Sequence, residues 1–112
     1  MSESILETVK GMSGPSASYD VFDEDYISLI NSCLATLFQC GAGQDQFTIK
    51  GASETWDDFS QDKFIQAWAK DYIRLYIKIS WDPDTAAFVT ASREKILEEI
   101  KSRVIYYCAT HK

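Results

Sequence analysis

The chain has a single histidine, three cysteines and no surplus of positive charge. Each shortage removes a class of function. His111 stands next to the last residue, a position expected to fray, so histidine-centred catalysis has nothing to build on. Cys33, Cys40 and Cys108 are odd in number and contain no C-x-x-C pair. That argues against a disulfide framework and a zinc site. Cys33 and Cys40 would lie about 10 Å apart along one helix at about 1.5 Å per residue, too far to bridge. Reduced thiols in a cytosolic setting are the expectation. No glycine-rich phosphate loop, nucleophile elbow or metal-spaced cluster occurs, so no cofactor is expected. The longest apolar run, "VIYYCA", is far below bilayer length, and "MSESILETVK" lacks the apolar stretch of a signal peptide. The expectation is a soluble chain that no ordinary signal exports and no membrane holds. Eleven basic residues against seventeen acidic ones leave a net charge of −6. Gripping nucleic acid requires Lys and Arg against phosphate, so this balance makes the chain a poor default nucleic-acid binder without excluding one that lets DNA pass ungripped.

What is present is a core. The chain has 112 residues, 46% hydrophobic and 13% aromatic, which fits one folded domain and excludes a disordered one. "SESILETVKGM" suits a short amphipathic helix, with Ser4 and Glu7 as a capping box and Ile5, Leu6 and Val9 on one side. "SGPSAS" reads as a linker, so residues 1–22 form an N-terminal helix and connection. A second helix begins near Asp23, with Asp23, Glu24 and Asp25 at its positive dipole end. Tyr26, Ile30, Cys33, Leu34, Leu37 and Phe38 form its apolar stripe, and Gly41 and Gly43 stop it.

Residues 41–60 hold no helical period and read as a long surface loop. It has a possible short strand at Phe47 and Ile49, and Trp56 and Phe59 pin it down. A third helix is predicted over 61–80. Phe64, Ile65, Trp68, Tyr72, Leu75, Tyr76 and Ile79 form one apolar stripe, and Ala69, Ile73 and Ile77 a second beside it. A helix apolar over most of its circumference belongs at the centre. In "WDPDT", Asp82 is a good cap and Pro83 suits a first helical position. The chain therefore turns there almost without a loop into a fourth helix over 83–107, antiparallel to the third. Phe88, Val89, Ile96, Leu97, Ile100 and Val104 face back onto it, and Glu99 and Arg103 form a favourably ordered i,i+4 pair. The predicted fold is all-α: one domain, a small bundle of about four helices with a long third–fourth hairpin and one long loop.

Three groups of residues are candidates for function. Asp57 and Asp58 are adjacent carboxylates that suit a cation or acid–base work, or, more plainly, a cap where the third helix begins. Lys70, Arg74 and Lys78 recur at four-residue steps along the third helix. They form either a solvated face or a contact with acidic residues of a neighbour such as Glu94, Glu98 or Glu99. Val104, Ile105, Tyr106, Tyr107 and Cys108 cover every side of the last helix, and an all-round apolar terminus points to burial against a partner. Residues 104–112 are read as a docking tail on that ground.

Four stretches in order resemble the head–tail connector, or adaptor, proteins of long-tailed bacteriophages. They are "SILETVK", "FDEDYISLINSCLATLFQCGAG", "FTIKGASETWDDF" and "DYIRLYIKISWDPDTAAFV". The third is similar to a family pattern of Phe and Ile followed by W-D-D-F. The fourth is similar to one that ends in F-D-P-P, where this chain has Trp81 and Asp84. The likeness spans about Ser4 to Arg103, and "VIYYCATHK" matches no part of it. The resemblance implies a structural virion protein, not an enzyme. It implies a homo-oligomeric ring, commonly twelve-fold, beneath the portal protein. The ring would extend the channel for double-stranded DNA and offer a surface to the next neck or tail protein. Assembly would take place in the bacterial host cytoplasm. On that reading Lys70, Arg74, Lys78, Glu94 and Glu98 fall at subunit contacts, and residues 104–108 face the portal. A regulatory or antitoxin-like helical module binding one host protein is the alternative from another class.

Overall fold

The computed structural model describes residues 3–12, 23–43, 47–81 and 87–110. Five helices follow one another: α1 Ile5–Met12, α2 Asp23–Gln39, α3 Trp56–Phe59, α4 Lys63–Trp81 and α5 Ala87–Thr110. The fold is all-α, and among the described residues the only extended pairing is an isolated bridge between Ser4 and Thr55. The linker and the corner at 82–86, including Asp82 and Pro83, lie outside the described residues.

α4 is the centre of the molecule and packs on α1, α2 and α5. Its near-continuous apolar surface is the reason. Ile65, Ala69, Tyr72, Ile73, Leu75 and Ile77 are all buried, so α4 serves neighbours on more than one side. α1 contributes Ile5, Leu6 and Val9, its whole apolar side. Ser4 Oγ accepts the Glu7 N–H at 3.3 Å and so caps the first turn. α2 contributes Tyr26, Ile30, Cys33, Leu34 and Leu37. It ends where Gly41 and Gly43 take φ of 103° and 85°, a left-handed region that side chains with a Cβ avoid. Lys10 on α1 reaches Asp23 at 2.8 Å and ties the first two helices together.

The long loop departs from expectation. No strand forms at Phe47–Ile49, because a side chain replaces the missing partner strand. Asn31 Nδ2 donates to the Ile49 carbonyl at 3.0 Å, and Asn31 Oδ1 accepts the Ile49 N–H at 2.8 Å. The loop also contains α3, one turn that hydrophobic periodicity cannot reveal in so few residues. Thr55 and Asp58 form a reciprocal capping box that nucleates it. Trp56 and Phe59 are buried and do anchor the loop. The N-terminal backbone reinforces it: Ile5 N donates to Glu54 O at 3.0 Å and Trp56 N to Glu3 O at 3.1 Å.

The hairpin helices also differ in detail. α4 starts at Lys63 rather than 61, because Asp62 is its cap: its Oδ1 accepts from Phe64 N at 2.9 Å and Ile65 N at 3.3 Å. α5 runs to Thr110, three residues beyond the predicted end at 107. Leu97, Ile100 and Val104 are buried as expected, but Ile96 is 42% exposed and Phe64 on α4 is 65% exposed. α5 packs chiefly on α4 alone, so only one row of its side chains is covered. The Phe88 side chain lies outside what is described. Glu99 and Arg103 do not form an ion pair; on α5 Lys101 pairs with Glu98 at 2.9 Å.

Candidate docking surfaces

The acidic pair is used by local structure. Asp58 Oδ2 accepts the Thr55 N–H at 3.0 Å, its half of the α3 cap. Asp57 Oδ1 accepts from Gln66 Nε2 at 2.8 Å and from Lys63 Nζ at 3.2 Å, stitching α3 to α4. Hydrogen bonds from Gln66 and then Lys63 hold the Asp57 carboxyl below the usual carboxylate range. Gln66 is itself buried and also donates to the Ser60 carbonyl at 2.6 Å. Among the described residues no group of three or more His, Cys, Asp or Glu could hold a metal ion. His111 lies outside the described residues.

The Lys70–Arg74–Lys78 row is only partly a free cationic ridge. The Lys70 ammonium sits 5.4 Å from the centre of the Trp56 ring, a cation–π contact that joins α4 to the loop. Arg74 lies 4.0 Å from Asp71, and Lys78 is exposed. Glu94 and Glu98 are exposed on α5. Within one chain these charges do not meet. Arg74 lines a groove with Trp68, Ile96 and Arg103, whereas Glu94 and Glu98 line a different one with Tyr72 and Tyr76.

The five residues of the last segment divide. Val104 is fully buried and belongs to the core. Tyr107 O–H donates to Asp62 Oδ2 at 2.5 Å, which joins the end of α5 to the cap of α4. That bond, with burial and the Asp62 charge behind it, raises the Tyr107 hydroxyl above its ordinary value. Cys108 packs where a Cβ on Gly41 would come within 3.0 Å of it, and burial raises its thiol. Only Ile105 and Tyr106, 53% and 73% exposed, are left facing out. The two do not share a surface. Ile105 borders a cleft with Gly41, Asp58 and Asp62, and Tyr106 borders an apolar groove with Trp68 and Arg103.

Sequence reasoning missed one feature. Phe64, Trp68 and Tyr107 form a ring cluster, with centroids 6.3 Å apart for Phe64–Trp68, 5.9 Å for Phe64–Tyr107 and 5.3 Å for Trp68–Tyr107, the last edge-on. Its outer side is open. The helical period placed Phe64 and Trp68 in a stripe presumed buried, and nothing in the period tells a covered stripe from an uncovered one.

Such a molecule, a small helical body whose distinctive features are open apolar surfaces, is an assembly component in form. Residues 5–111 match the family model described as phage connector protein. That match spans nearly the whole chain, and the protein belongs to this family. Its role is therefore that of a structural connector of the phage particle, working against portal and neck or tail proteins. No curated protein and no solved structure matches the chain. No described helix is long and apolar enough to cross a membrane.

Proposed function

We propose that the protein forms a closed ring at the head–tail junction, seated beneath the portal and commonly twelve-fold. The ring extends the DNA channel and gives the next neck or tail protein its docking surface. The observation that carries this reading is the family match over residues 5–111. The exposed Phe64, Ile96, Ile105 and Tyr106 support it, because large apolar side chains facing out mark surfaces that a partner covers. The net charge of −6 suits a channel through which duplex slides, since an acidic wall repels phosphate instead of gripping it. Lys70, Arg74 and Lys78 of one copy are assigned to Glu94 and Glu98 of the next as the polar part of the subunit contact. The end of α5, within residues 104–108, is assigned to the portal, and Ile105 is its free apolar contact. Assembly in the host cytoplasm follows from this role.

The test uses the full chain and portal-containing heads that lack the connector. Wild-type protein should load onto the heads and appear as a ring on the portal axis by electron microscopy. Ile105→Asp should keep the wild-type melting temperature and lose loading. Wild-type protein that remains monomeric in the presence of such heads would overturn the ring reading. Normal loading of Ile105→Asp would move the portal contact elsewhere.

A further inference from the structure

Cys40 and Cys108 are far apart in sequence, yet the fold sets both in the wall of one cleft. Cys40 follows α2 directly, and Cys108 stands in the last turn of α5. Gly41 brings them together. Its φ of +103° turns the chain just after Cys40. The Cβ that Gly41 lacks would stand 3.0 Å from Cβ of Cys108 and 3.6 Å from its Sγ. The end of α5 therefore rests on the backbone next to Cys40, whose Cα is about 3.8 Å from that of Gly41. Both thiols are free and partly exposed, whereas Cys33 is fully buried. Their surroundings set an order between them. Burial raises the Cys40 thiol, with Lys101 working against it and Glu98 adding to it. Burial raises the Cys108 thiol too, and both Asp62 and Cys40 add to it. Cys40, with an ammonium group beside it, is the readier thiolate.

We infer that Cys40 and Cys108 are the two halves of a disulfide that closes when the protein leaves reducing surroundings. It clamps the end of α5 to the end of α2, two helices that each pack on α4. The oxidant is a small-molecule disulfide such as oxidised glutathione. The Cys40 thiolate attacks one of its sulfurs, the S–S bond breaks, and one thiol leaves. The Cys108 thiolate then attacks the Cys40 sulfur of the mixed disulfide and expels the second thiol. Two protein thiols become one S–S bond, one small disulfide becomes two thiols, and the cysteine protons pass to the leaving thiolates. A bridge needs Cα atoms about 4.4–6.8 Å apart, and terminal turns are where a helix adjusts at least cost. Thiols raised by burial exchange slowly near neutral pH, so the pair stays reduced in a cytoplasm and closes late. The surface of a released particle is an oxidising place, and this timing rests on the connector reading. The bridge itself does not. Ile105 and Tyr106 stand on the same final turns of α5, so the clamp fixes the exposed apolar end of the helix.

The experiment treats the full chain with oxidised glutathione in mildly alkaline buffer. Peptide mapping without reductant should find Cys40 joined to Cys108, with Cys33 left as the one titratable thiol of three. The melting temperature should rise by about 5–15 °C and return to its starting value with dithiothreitol. Cys40→Ser and Cys108→Ser should melt near reduced wild type and show no such rise. Glutathione held on either cysteine, a bridge between two chains, or three thiols still titratable would overturn the assignment. A Cys40–Cys108 bridge that lowers the melting temperature would overturn the clamp. None of these results touches the connector reading. Protein extracted from purified phage particles in the presence of an alkylating agent should carry the same bridge. Alkylated Cys40 and Cys108 in that sample would overturn the timing.

Discussion

Asn31 holds the long loop to α2 through both of its amide atoms, and it satisfies a buried backbone position that has no strand partner. Ile49 is 2% exposed, so removing the amide leaves its N–H and C=O without partners in a place water does not reach. Asn31→Ala is expected to cost about 1–3 kcal/mol, readable as a shift in the urea midpoint at unchanged slope. A midpoint within experimental error of wild type would show that the loop is held by Trp56 and Phe59 alone. Gly43 is the second residue on which the loop depends. Its φ is +85°, and an added Cβ would stand 2.7 Å from Cε1 of buried Phe59. Gly43→Ala should destabilise by about 1–3 kcal/mol through backbone strain and the clash. Gly11 in α1 is the control: a Cβ there meets nothing within 4 Å. Gly11→Ala should stabilise by about 0.5–1 kcal/mol, the ordinary gain of alanine over glycine in a helix. Thermal melts of the two variants should move in opposite directions.

At the scale of elements, the start of α4 and the end of α5 are one unit. Asp62 uses one carboxylate oxygen to cap α4 and the other to receive the Tyr107 hydroxyl. Tyr107→Phe should therefore lower the melting temperature by losing a hydrogen bond to a charged group, while α4 keeps its cap. Asp62→Ala removes cap and bond together and should cost more. In the double variant the losses should not add, and the shortfall measures the Tyr107–Asp62 bond. Strict additivity would mean that α5 is anchored by its apolar row alone. This connection also changes the view of residues 104–112. Val104, Tyr107 and Cys108 belong to the folded body, so a cut at 104 would remove core as well as the exposed Ile105 and Tyr106.

For the whole molecule, several acidic groups keep their protons in the folded state more tightly than an unfolded chain would. Burial drives the Cys33 thiol up to about 12 from 9.0. Burial likewise raises Tyr72 and Cys40, and Tyr107 is raised by its bond to Asp62. A raised folded-state pKa contributes stability that is complete below the unfolded value and is lost as pH climbs toward the folded one. Stability should thus be flat to about pH 8 and fall above pH 9, by about 1.4 kcal/mol per pH unit for Cys33 alone. Urea titrations of wild type and Cys33→Ala between pH 8 and 11 would test this. The variant starts lower, having lost a buried side chain, but its curve should fall less steeply. Parallel curves would mean that the buried thiol ionises without unfolding the chain.

The all-α class, the central place of α4 and the glycine stop after α2 were legible because each follows from local rules: period, dipole, cap and positive φ. The family resemblance was legible for a related reason, since its motifs are the caps, corners and anchors of those same elements. Chain connectivity alone does not say which of several apolar stripes finds a cover. Phe64 and Ile65 are neighbours in one helix, yet Ile65 is buried and Phe64 faces out. Asn31 and Ile49 are eighteen residues apart and have no signature until the chain folds. α3 is too short for a period and exists because Thr55 and Asp58 cap each other. The role of Asp62 as a clamp on Tyr107 needs two helix ends brought together from forty-five residues apart. Helix identity is a property of neighbours in sequence; exposure is a property of neighbours in space. The uncovered apolar rows are a matter of exposure, and only the packing of α5 chiefly on α4 decided where they lie.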